Sequence, residues 1–183
     1  MALTVPLPRS PSEYGLARWY EHELGWPTAD GPPLLLPTGI RFDVLELPAA
    51  AGHAVLRRVG ATGPVALMGR RMRLLVAAGS AEELPGLLGW LEWGGIALDL
   101  AGLGPGGRMT APVPPGWSGS DRPGAAVWLR PPVPGREVES SLPGLPVVGG
   151  DGDAPGLVRL VEAAATECHR LRLTRTAQPL AFS

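Results

Sequence analysis

The chain has 183 residues, 45% of them apolar, which is the length and content of one ordinary domain able to fold without disulfide or metal staples. With 16 basic residues against 17 acidic the formal charge is -1, which excludes a histone-like or ribosomal polycation, so any hold on a polyanion has to be local. A single cysteine, Cys168, excludes an intrachain disulfide and a cysteine-based zinc or iron–sulfur site.

The first regular element is announced by Ser10-Pro11-Ser12-Glu13, a capping hydroxyl, a proline at the first helical position and a glutamate that reaches back. The spacing of Leu16, Ala17, Trp19, Tyr20 and Leu24 predicts a helix over 11–24 with one apolar face, ended by Gly25 because glycine tolerates the left-handed conformation. Short strands are expected at 34–36 and 41–47 around a Pro37-Thr38-Gly39 turn, then a helix over 50–59 stopped by Gly60. Residues 64–68 and 71–77, split by Gly69, read as a hairpin whose second strand puts Met72, Leu74 and Val76 on one face and Arg71 and Arg73 on the other. Ser80-Ala81-Glu82-Glu83 is a second capping box, opening a helix through Leu91, and further strands are expected at 96–100, 108–111 and 125–130.

Pro, Gly and acidic residues dominate 131–152, which reads as a tether. Beyond it Asp153-Ala154-Pro155 opens the clearest helix of the chain, with Leu157, Leu160, Val161, Ala164, Cys168 and Leu171 in one unbroken stripe. The expected organisation is an arm over 1–9, a domain over 10–132, a linker over 133–152 and a C-terminal helix and tail over 153–183. The fold class is α+β, an antiparallel or mixed sheet with packed helices, and the last helix docks either on the domain or on a protein partner. No run approaches the roughly 18 apolar residues of a membrane span, so no membrane partner and a reducing cytoplasm are expected. All sixteen basic residues are arginine and asparagine is absent, the bias of a GC-rich, actinobacterial-type genome.

A serial set of motifs carries a resemblance: Gly25-Trp26-Pro27, Leu36-Pro37-Thr38-Gly39, Arg41 to Leu47, Ala51-Gly52, Gly69-Arg70-Arg71-Met72, Ile96 to Leu100, and Gly106-Gly107-Arg108-Met109-Thr110-Ala111-Pro112. In this order the chain resembles, from about Leu16 to Pro132, the bifunctional DNA primase/polymerase N-terminal domain of the archaeo-eukaryotic primase superfamily. The resemblance implies an RRM-like catalytic sheet, two acids on one strand and a third on a later strand that hold divalent metal, and a histidine that meets nucleotide phosphates. Glu46 and Asp99 match two of the acids and would hold Mg2+, whereas Pro48 falls where the other acid belongs, Met72 where the histidine belongs, and Ala101 where an arginine is usual. The chain therefore reads as a degenerate member that binds nucleotide or nucleic acid without polymerase activity. An active nucleotidyltransferase using Glu46, Asp99 and Arg71, and a protein-interaction or regulatory module, are the alternatives.

Two further signals bear on binding. No acid occurs between Leu47 and Ala81, while His53, Arg57, Arg58, Arg70, Arg71 and Arg73 do, and guanidinium forks match phosphate oxygens at two points. Arg70, Arg71 and Arg73 are the candidate phosphate ligands, with Glu82 and Glu83 as the acids that would otherwise neutralise the run. Asp43, three residues from Glu46, lies on the opposite strand face and reads, with Glu46 and Asp99, as an edge or surface acid if no site exists.

Overall fold

The computed structural model describes residues 11–60, 62–145 and 156–177; the 1–9 arm, the Ser10 cap and the Asp153-Ala154-Pro155 helix start lie outside them. Helix α1, Pro11–Arg18, does not run on to 24 as an α-helix but widens into a π-helical turn, Trp19–Glu23. There the Leu24 amide donates to the Trp19 carbonyl five residues back, at 3.3 Å. The widened turn carries Tyr20 fully inside, where its hydroxyl donates to the Pro112 carbonyl at 2.6 Å and accepts from Trp128 Nε1 at 2.9 Å. Gly25, at φ +66°, then turns the chain away.

Strand β1, Leu35–Pro37, pairs with β6, Arg108–Thr110, in a small antiparallel sheet. The main sheet is built from β2 (Asp43–Pro48), β3 (Val65–Met68), β4 (Arg71–Val76), β5 (Ala101–Leu103) and β7 (Ala126–Arg130), in the order β5-β2-β4-β3-β7. Every neighbouring pair in it is antiparallel. Helix α2, Ala49–Val59, connects β2 to β3 and helix α3, Ser80–Trp90, connects β4 to β5. Strand, helix, hairpin, helix, strand, with the first and third strands at the centre, is the split β-α-β arrangement of RRM-like sheets. The fold is α+β.

Alternation along β2 and β4 divides the sheet into two faces. Leu45, Leu47, Met72, Leu74 and Val76 face α2, α3 and the long C-terminal helix α4, Leu157–Ala177. Val44, Leu75, Ala66 and Trp128 face the other way, into an aromatic core with Tyr20, Trp26 and Phe42. That second core covers one end of the face only; the other end carries Glu46, Arg71 and Arg73. Helix α4 packs within the chain: its stripe Leu157, Leu160, Val161, Ala164 and Cys168 is buried against α2 and α3. Burying each Leu or Val there contributes about 1.5–3 kcal/mol, which explains why the stripe is not left for a partner. Among the described residues no helix is long and apolar enough to cross a membrane.

Four further expectations are corrected. The strand expected at 96–100 begins instead at Ala101, because β5 lies where glycine lets α3 approach: a Cβ on Gly102 would stand 3.1 Å from the Ala81 Cα. Leu98 and Leu100 pack on the helix-side core from the turns before it. The stretch read as a tether is, over 133–145, part of the folded body, since Val138 and Leu142 are buried in the aromatic core and the Ala77 amide donates to the Pro143 carbonyl at 2.8 Å. The start of α3 does not use the Ser80 hydroxyl. Gly79 is the N-cap residue, and Asp43 Oδ2, from β2, accepts from the Gly79 and Ala81 amides at 2.9 Å each. Asp43, read as an edge or surface acid, is thus fully buried and closes a helix end.

Candidate functional site

The open end of the sheet is assembled by strand register. Glu46 pairs with Arg73 on β4 and with Ala101 on β5, and Pro48 pairs with Arg71. Residues two apart on one strand share a face, so Glu46 and Pro48 meet Arg71 and Arg73 on the same side, and Asp99, in the turn before β5, joins them through its ion pair with Arg71. Glu46, Asp99 and Arg71, expected from sequence to form one site, do come together.

What they form is a closed ionic network. Arg71 Nε lies 3.2 Å from Glu46 Oε1, Arg73 Nε 2.7 Å from Glu46 Oε2, and Arg71 Nη1 2.7 Å from Asp99 Oδ1. Arg71 thus bridges the two carboxylates, and both oxygens of Glu46 are engaged. Burial weighs against the charge on Arg71, but the hydrogen bonds and charges of Asp99 and Glu46 outweigh it and raise its pKa above the ordinary arginine value. Two acids against two guanidiniums leave no negative surplus. Arg73 is the more enclosed of the pair and also reaches the Met68 sulfur, at 3.8 Å.

This donor set does not fit a magnesium pair. Two-metal transfer needs carboxylates clustered around vacant coordination positions, and here a bridging guanidinium stands between the two acids. Pro48, next outward on the strand, has no side-chain oxygen. Among the described residues no group of three or more His, Cys, Asp or Glu side chains gathers to hold a metal ion. Met72, which the resemblance put in the histidine position, is buried on the helix side of the sheet, so no side chain at 72 reaches this face. The period-two pattern of β4 already carried that signal, because Met72 alternates with Arg71 and Arg73.

Comparison of the chain with protein-family models, with curated proteins and with solved structures finds no match. The other members of the acid-free run do not join the cluster. Arg70 sits exposed in the β3–β4 turn, where its carbonyl accepts from the Ala49 amide at 2.8 Å. His53, Arg57 and Arg58 lie on α2, behind the sheet, with Arg58 3.6 Å from Glu167 of α4. Among the described residues Arg71 and Arg73 pair with Glu46 and Asp99, and Arg58 with Glu167, while Glu82 and Glu83 form no ion pair with the run.

Sequence reading missed a second feature on the same side of the sheet. Past Met68 lies a cleft of about 390 Å³ whose wall includes Trp117 and whose lining includes Arg122. Its loop lacks periodicity, and the only sequence signal there was the surplus of tryptophan over phenylalanine and tyrosine.

Proposed function

We propose that this chain is a degenerate primase/polymerase-like module: a binding protein that retains an RRM-like sheet and an arginine-bearing face, without template-directed synthesis. The observation that carries this reading is the state of Glu46. Its two oxygens accept from Arg71 and Arg73, so the carboxylate that would grip a cation is spent on guanidiniums. Each guanidinium has five donors, and the network engages only part of them, which leaves N–H groups for the phosphates of a nucleotide or a nucleic acid. A cytoplasmic setting belongs to the same proposal, supported by the use of a single, buried cysteine.

The test has two arms. On a primed template with magnesium, no nucleotide incorporation is expected; robust incorporation that disappears in Asp99→Ala would establish the active enzyme instead. Fluorescent single-stranded DNA is expected to bind at low salt, to weaken as salt rises, and to weaken further in an Arg71→Ala, Arg73→Ala double variant. Absence of binding at low salt would turn the reading to a protein-interaction module. The observation favouring that second reading is Trp90, 72% exposed near the end of α3, with the exposed Ile96 close in sequence.

A further inference from the structure

We propose that the cleft between α1, the loop 114–125 and the Met68 end of the sheet binds a small flat aromatic anion. The cavity measures about 390 Å³, within the usual range for small-molecule sites of about 300–1,000 Å³. Its floor is apolar, made by Leu16, Leu34, Met68 and Ala111. One wall is the indole of Trp117, 39% exposed. That ring is held in place: Trp19 meets it edge-on at 6.2 Å, and Trp19 is itself edge-on to the buried Tyr20 at 4.8 Å. A fixed indole beside an apolar floor is a stacking surface for a flat ring, because dispersion and ring quadrupoles favour that contact and little side-chain freedom is lost on binding.

The charged members of the lining are Glu13 and Arg122. Glu13 is engaged by a partner of its own, so the charge left to meet a ligand is the Arg122 guanidinium, which grips a phosphate or carboxylate at two points. Together with the stacking wall it describes a flat ring that carries one anionic group. Two sources share that chemistry, a mononucleotide and a non-nucleotide aromatic acid. The cleft touches the ionic network through a single side chain, since the sulfur of the floor residue Met68 is 3.8 Å from Arg73 Nη1. It therefore stands independently of the primase-like reading.

Isothermal titration of the full chain with AMP, adenosine and indole-3-acetate tests the site. AMP, indole-3-acetate or both are expected to bind saturably at about millimolar concentration or below, AMP alone assigning the nucleotide source and indole-3-acetate alone the aromatic acid. Trp117→Ala should weaken the bound anion about tenfold or more, as loss of a ring stack does. Arg122→Ala, at an exposed loop position, should weaken the same anion about tenfold while leaving adenosine unchanged. No binding of either anion, or binding that Trp117→Ala and Arg122→Ala both leave intact, overturns the proposal. AMP binding without single-stranded DNA binding keeps the pocket and discards the module reading; the reverse result discards the pocket alone.

Discussion

Glu46 and Arg73 stand directly opposite each other across the β2–β4 pairing, and their side chains meet at 2.7 Å with 20% and 12% of their surface exposed. Asp99, at the far end of the same network, keeps 54% of its side chain in water. The two acids therefore differ in what their loss leaves behind. Removing Glu46 leaves an enclosed guanidinium with no carboxylate and only the weak Met68 sulfur as acceptor, whereas removing Asp99 breaks a solvent-exposed pair.

Glu46→Ala is expected to cost about 2 kcal/mol, the penalty of a mostly buried charged donor left unmatched. Asp99→Ala should cost less than about 1 kcal/mol, as exposed ion pairs do. Urea unfolding with an unchanged m value checks both. Equal losses in the two variants would contradict the division of the network into an enclosed and an exposed half.

Tyr20→Phe tests the other end of the face. The phenol accepts from Trp128 Nε1 at 2.9 Å and donates to the Pro112 carbonyl at 2.6 Å, and all three groups are inside the aromatic core. Deleting one oxygen leaves a buried N–H and a buried C=O without partners, so the expected loss is about 1–3 kcal/mol despite a change of a single atom. Burial, opposed by the Trp128 hydrogen bond, raises the phenol pKa well above its usual value, so the hydroxyl should show no titration below about pH 10 in ultraviolet difference spectra.

The elements that could be read from the chain are those whose periodicity is strong and local. The stripe from Leu157 to Cys168 and the alternation Met72, Leu74, Val76 each fix a buried face without reference to the rest of the molecule. Where tertiary contact decides, the sequence is mute. The acceptor that closes α3 comes from Asp43, some 36 residues upstream, and displaces the Ser80 hydroxyl that sits in the expected place. Strand β5 is located by how closely Ala81 approaches Gly102, and nothing in the apolar run before it reveals that contact. Val138 and Leu142 lie among prolines and glycines with no repeating pattern, yet both are buried. That Arg71 and Arg73 share a face was legible from strand parity, whereas the place of Asp99 beside Glu46 was suggested only by the resemblance, because Asp99 lies in the turn before β5. The mutual neutralisation of these residues was not legible, since it depends on which rotamer of Arg71 bridges the two acids.

Cys168 lies on the buried face of α4, where its Sγ is 3.4 Å from the Asp99 carbonyl. Burial, reinforced by the negative charge of Asp99, pushes its thiol up from 9.0 to about 12. The native state thus keeps a proton that the unfolded chain releases once pH passes its ordinary value. The resulting stability is fully present below that value and is lost as pH rises toward 12, so stability falls with pH across the window. The urea midpoint of the natural chain should therefore drop more steeply above about pH 9 than that of Cys168→Ala. A thiol reagent at neutral pH should react with the unfolded chain and not with the native one; fast labelling of native protein would contradict the burial of α4 against α2 and α3.

Asp43 offers the most direct test of how the sheet is tied to the helices. Its Oδ2 accepts from two amides at the start of α3, and the residue is wholly buried, so water cannot replace it. Asp43→Ala leaves both amides without an acceptor and removes a negative charge from the positive end of the helix; the expected cost is about 2 kcal/mol or more. Asp43→Asn keeps one oxygen at the same reach and should recover most of that loss, falling short by about 0.3–1 kcal/mol for the missing charge. Hydrogen exchange separates a local cap from a general effect. The Ala81 amide should lose protection in Asp43→Ala beyond the change in global stability and retain it in Asp43→Asn. An Ala81 amide that exchanges alike in both variants would mean that the carboxylate is not what holds the first turn of α3 against β5.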